Sequence, residues 1–149
     1  MPKPGQRFEP LTTDDEQRLS TQRAVIERFL GNDPKNLANY ASPAGKLGLL
    51  RAVLAAKVFD PSQTYDLQCM GIILGDVFVQ KMKWLWRMVV DENGRDPCVK
   101  VPGSSIVLFP LTMISKRVER GEDVDVFDIF NRVAAVSEEK AKAADRLAD

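Results

Sequence analysis

The sequence predicts an α+β fold, with helices first, then a small three-stranded antiparallel meander, then two C-terminal helices. Three observations carry that prediction. Apolar residues recur at helical spacing from Leu19 to about Met82, the pattern switches to alternation at Trp84, and helical spacing returns after Pro110. A chain of 149 residues with 44% hydrophobic content matches one domain with a proper core. Residues 1–12, polar and proline-containing, read as a flexible lead-in, and 13–149 as a single α+β domain.

Thr13-Asp14-Asp15-Glu16 has the form of a capping box, and Leu19, Val25, Ile26, Phe29 and Leu30 follow before Gly31 ends the helix. Asp33-Pro34 and Ser42-Pro43 each place proline at a first helical position, where its missing N–H costs nothing. The second of these helices runs to about Val58 with Leu47, Leu50, Val53 and Leu54 on its apolar face. Asp60-Pro61-Ser62 opens the next, to about Met82, which is apolar on most sides and therefore central. Gly71 and Gly75 lie on one face of it, where another element can approach the backbone closely.

Trp84, Trp86, Met88 and Val90 then share one strand face. Asp91-Glu92-Asn93-Gly94 is a hairpin turn, Cys98 to Val101 the returning strand, and Ser105 to Phe109 the third. Pro97 marks a strand start or an edge, because it cannot donate a ladder hydrogen bond. A helix from Leu111 to Arg120 ends at Gly121, and a last helix beginning near 123–125 buries Val126, Phe127, Ile129, Phe130 and Val133.

Charge and composition narrow the chemistry. The 21 Lys and Arg are offset by 21 Asp and Glu, with no basic block, which argues against nucleic acid as a partner. No histidine is present, so the usual acid–base side chain near neutral pH is missing. Cys69 and Cys98 lack metal-ligand spacing and read as small buried hydrophobes, and neither a metal nor a cofactor is expected. The N-terminus has no apolar leader and no stretch reaches bilayer length, so the expected setting is cytoplasmic, without a membrane partner.

Three sets of candidates remain. Asp76 sits on the central helix and needs a cationic partner such as Arg87, Arg95 or Arg117; a structural ion pair is the simpler role for it, a functional acid the sharper one. Asp91, Glu92 and Asp96 cluster at the hairpin, where turn formation explains them and proton transfer is the alternative. Trp84 and Trp86 form a paired aromatic face that is either core or, beside Arg87, the makings of an interface hot spot.

The stretch from Leu67 to Val133 resembles a family of small bacterial proteins classed as a domain of unknown function. Gly71 to Asp76, Trp86 to Arg95, Ile106 to Pro110, Lys116 to Glu122 and Val126 to Phe130 carry the resemblance. It implies no cofactor and no catalytic residue. The expected function is a non-enzymatic protein-interaction module using the Trp84/Trp86/Arg87 surface with Asp76, Asp91, Arg95 and Arg117, its partner another protein or a second copy in a homodimer. The alternative is a small-molecule-binding domain or enzyme built on Asp76 and the hairpin carboxylates with Arg87 or Arg117.

Overall fold

The structure, a computed structural model, describes residues 5–148, with side chains through 144. The chain order is β1 (Arg7–Glu9), α1 (Thr13–Glu27), α2 (Pro34–Tyr40), α3 (Pro43–Ala55), α4 (Thr64–Met82), β2 (Leu85–Asp91), β3 (Gly94–Lys100), β4 (Val107–Leu108), α5 (Leu111–Glu119) and α6 (Val126–Ala148). A 3₁₀ turn, Arg28–Leu30, follows α1, and Gly31 ends it at φ 65°. The architecture is α+β as expected. None of the described helices is long and apolar enough to cross a membrane.

The helix α4 is the hub because its sequence leaves it almost no polar face. Leu67, Met70, Ile72, Ile73, Leu74, Val77 and Phe78 are all buried, and α1, α3, α5, α6, β2 and β3 touch it from different sides. Each such side chain contributes about 1.5–3 kcal/mol relative to exposure. The glycines on α4 do what their lack of a side chain permits. A Cβ at Gly71 would lie 2.5 Å from the Pro110 carbonyl oxygen, and one at Gly75 would lie 2.4 Å from the Trp86 ring. The start of α5 and the indole therefore rest directly on the α4 backbone.

The sheet has four antiparallel strands in the order β1-β2-β3-β4, one more than the sequence pattern suggests. The additional strand comes from the expected lead-in: Arg7, Phe8 and Glu9 pair with Val90, Val89 and Met88. Three residues between prolines and a glycine are too few to show periodicity. The first four residues of that lead-in lie outside the described residues. Glu92 and Asn93 form the two-residue loop of the β2–β3 hairpin, and the positive φ, 136°, falls on Gly94. The third expected strand shrinks to Val107–Leu108, which pairs only with Lys100 and Val99. Pro97 thus occupies a stretch of β3 that β4 does not reach, as a residue without an N–H must.

Local signals shift some boundaries by a residue or a turn. The α1 cap is Thr12, one residue earlier than expected: its side chain accepts from Asp15 N at 3.1 Å, and Asp15 Oδ2 accepts from Thr12 N at 2.8 Å. Asp15 plays the part assigned to Glu16. The helix α3 stops at Ala55, with Lys57 forced to φ 50° because no glycine is available to close it, and Val58 is left 39% exposed. Asp60 spends its carboxylate on a turn, accepting from Ser62 N at 2.8 Å, so α4 begins later, at Thr64.

Candidate functional site

On α1, Asp15, Leu19, Arg23 and Ile26 recur at intervals of four, four and three, which places all four on one helix face. Leu19 and Ile26 are buried against α4, so Arg23 is carried to α4 between them. There its Nε donates to Asp76 Oδ2 at 2.6 Å and its Nη2 to Asp76 Oδ1 at 2.8 Å. The indole Nε1 of Trp86 donates to Asp76 Oδ1 at 3.0 Å. Burial opposes the Arg23 charge, but the bonds to Asp76 prevail and hold its pKa above the ordinary arginine value.

This node corrects the expected partners of Asp76. Arg87, Arg95 and Arg117 are all engaged elsewhere. Arg87 Nη1 donates to the Trp86 carbonyl at 2.9 Å, and Arg117 Nη1 to the Met113 carbonyl at 2.6 Å. Arg95 bonds Asp15 and lies 3.5 Å from Glu9. That Arg95 bond, with those of Thr12, holds the Asp15 carboxyl well below the usual carboxylate range. Asp91 accepts from Asn93 N at 2.8 Å, which is turn chemistry. Asp76, Asp91 and Arg117 therefore belong to separate contacts.

A second polar node joins the α2–α3 corner to α4. Lys46 Nζ donates to the Tyr40 carbonyl and to Gln80 Oε1, each at 2.9 Å, and Gln80 Nε2 donates to the Ala41 carbonyl at 2.7 Å. The Tyr40 hydroxyl is buried, with the Glu27 carboxylate beside it. Burial, then the nearby Glu27 carboxylate, pushes its pKa far above the ordinary phenol range.

The aromatic face resolves toward the core. Trp84 is buried and stacks on Phe78, ring centroids 5.7 Å apart and planes 9° from parallel. Trp86 is 9% exposed, its ring on Gly75. A pair of exposed tryptophan rings is thus not what this surface offers, because α4 presents a bare backbone that the indole fills. Cys69 and Cys98 are free and fully buried, and burial pushes each thiol up to about 11.

What does reach the surface beside these residues is Leu85, 40% exposed. The two-residue loop makes Asp91 and Gly94 the closing pair, so odd-numbered residues of β2 exchange hydrogen bonds with β3. Even-numbered ones face β1. Met88 and Val90 meet β1 there, but the chain leaves the sheet after Glu9, so β1 has no residue paired with Trp86. The free edge runs along a groove of about 440 Å³ lined by Pro10, Leu11, Leu19, Val79, Leu85 and Trp86, with Glu16, Arg23 and Arg87 at its rim. The Arg87 side chain, folded over the Trp86 carbonyl, blunts the edge. Among the described residues no carboxylate pairs with Arg87. Sequence reasoning picks out Trp86 and Arg87 but misses Arg23; the available signal was a charge set on the buried stripe of α1.

A larger cleft, about 650 Å³, opens between the end of α3 and the α5–α6 turn, floored by Val53, Leu67, Met70 and Val118 and rimmed by Lys57, Glu122 and Asp123. It contains none of the predicted site residues.

Comparison with known proteins agrees with the fold. A crystal structure at 1.50 Å of a protein from Bacteroides thetaiotaomicron VPI-5482 is similar over 90% of this chain, with a TM-score of 0.67 at 12% identity. The alignment spans 48% of that chain, so the present sequence corresponds to about half its length. No curated protein matches. The family model described as "Domain of unknown function (DUF3806)" matches residues 46–130, more than half of the chain, from α3 into α6, and the chain belongs to that family.

Proposed function

We propose that this chain is a non-enzymatic protein-interaction module whose contact surface is the groove beside Trp86 and Arg87. The observation that carries the reading is the β2 edge at Trp86, which no described strand covers, lying along an apolar groove with Arg87, which pairs with no acid among the described residues. Sheet edges and apolar grooves are where folded domains take up segments of other proteins. Asp76, the candidate acid, is held by Arg23 and Trp86 through three hydrogen bonds, which suits a structural role better than proton transfer. The test is native mass spectrometry of the tagged protein captured gently from its own cells. A stoichiometric protein companion is expected, lost in Arg87→Glu and kept in the distant control Lys57→Glu. A companion indifferent to Arg87→Glu overturns the assignment of the surface.

The larger cleft favours a second reading, a small-molecule-binding domain, because an apolar floor with a few charged groups at the rim suits a ligand. A metabolite thermal-shift screen tests it, since a ligand selective for the folded state raises the melting temperature. A flat screen counts against it.

A further inference from the structure

The free edge and the groove together define what kind of segment fits, an inference that rests on the interaction surface proposed above. Trp86 points its main-chain N–H and C=O along the line that β1 vacates. A strand entering on that line, antiparallel to β2 as β1 is, sets one residue directly opposite Trp86. That residue exchanges both main-chain hydrogen bonds with Trp86, and its side chain shares the Trp86 face, toward Leu11, Leu19 and Val79 in the groove. Its neighbour away from β1 falls opposite Leu85, on the outer face of the sheet, while Pro10, which follows Glu9, closes the position opposite Arg87.

Charge then sorts the positions. The incoming N–H needs the Trp86 carbonyl, which Arg87 Nη1 now occupies at 2.9 Å. Docking therefore releases a guanidinium that pairs with no carboxylate among the described residues, and an acidic residue opposite Leu85, on the same outer face, is placed to receive it. On the other wall, Glu16 disfavours an acid in the groove position, and Leu11, Leu19 and Val79 favour an aliphatic one. We infer that the β2 edge takes up an extended segment of a partner protein by strand addition, with an aliphatic residue facing Trp86 and an acidic residue next to it, opposite Leu85.

Fluorescence anisotropy with a labelled, acetylated octapeptide of alternating Asp and Leu tests this directly. Saturable binding is expected, at least tenfold weaker for a peptide N-methylated at the leucines, which removes the donor to Trp86 while keeping the side chains. Arg87→Glu should also weaken the Asp-Leu peptide tenfold or more and bind a Lys-Leu counterpart instead, a gain of binding that a misfolded variant cannot give. Equal binding of the N-methylated peptide, of block-scrambled Asp and Leu, or of both proteins to the Asp-Leu peptide overturns the inference. No binding of any peptide also overturns it. The companion measurement is independent: a companion lost in Arg87→Glu, with no peptide preference, leaves the surface in place and removes only strand addition.

Discussion

Asp76 on α4 receives Arg23 of α1 through two hydrogen bonds, 2.6 and 2.8 Å long, across 53 residues of sequence. Their side chains are 15% and 26% exposed, so water screens the pair only in part. Trp86 adds a third donor to the same carboxylate, which ties the first helix, the central helix and the sheet at one point. Among the described residues, removing Arg23 leaves that carboxylate with the indole as its hydrogen-bond donor and with Lys46 as a nearby cation. Arg23→Ala is expected to destabilise the fold by about 3 kcal/mol, read as a shift of the urea midpoint. Arg23→Met with Asp76→Leu should recover much of that loss, because no unpaired charge remains.

The two helical environments of glycine predict opposite signs. Gly75→Ala places a methyl 2.4 Å from the Trp86 ring and should cost about 1–3 kcal/mol through overpacking. Gly48, inside α3, has nothing within 4 Å of its Cβ direction. Gly48→Ala should instead stabilise by about 0.5–1 kcal/mol, since alanine has the better helix propensity. Thermal unfolding of the two variants compares them; a stabilised Gly75→Ala would contradict the seating of the indole on α4.

At acid pH the Asp15–Arg95 contact sets the direction. Its folded pKa lies below the unfolded value of 3.8, so its stabilisation is present above that pH and lost as pH falls below it. Asp15→Asn should flatten the rise in stability between pH 3 and pH 5, measured by urea titration at each pH. An unchanged slope would contradict the contact.

At alkaline pH the sign is reversed. Cys69 and Cys98 are raised from an ordinary value of 9.0 to about 11 by burial, so the folded state holds its protons longer than the unfolded one. Stability from these thiols is complete below pH 9 and falls as pH rises toward 11. Cys69→Ala with Cys98→Ala should weaken that alkaline decline, and thiol labelling of the native protein at pH 8 should track unfolding. Rapid labelling of the folded chain would contradict their burial.

The legible part of this molecule is what periodicity and capping encode. The helix α4 announces itself by being apolar all round, the switch to alternation at Trp84 marks β2, and Ser42-Pro43 starts α3 where the structure has it. The elements that escaped reading depend on tertiary contact. The strand β1 is three residues long and exists because β2 offers it an edge; β4 is two residues for want of further partner. Lys57 closes α3 in a conformation that lysine alone does not advertise. At the site, Trp86 and Arg87 stand out by residue type, yet which atoms they expose depends on where Gly75 sits behind the ring and where β1 ends. Arg23 was hidden among other arginines, although its spacing from Leu19 and Ile26 places it on a buried face.

Hydrogen–deuterium exchange on the chain alone and with its captured companion tests the central claim most directly. The account predicts that the companion protects the backbone amides of Trp86 and of the adjoining Leu11. Protection confined to the cleft around Val53, Met70 and Val118, with Trp86 exchanging as in the free chain, would contradict it.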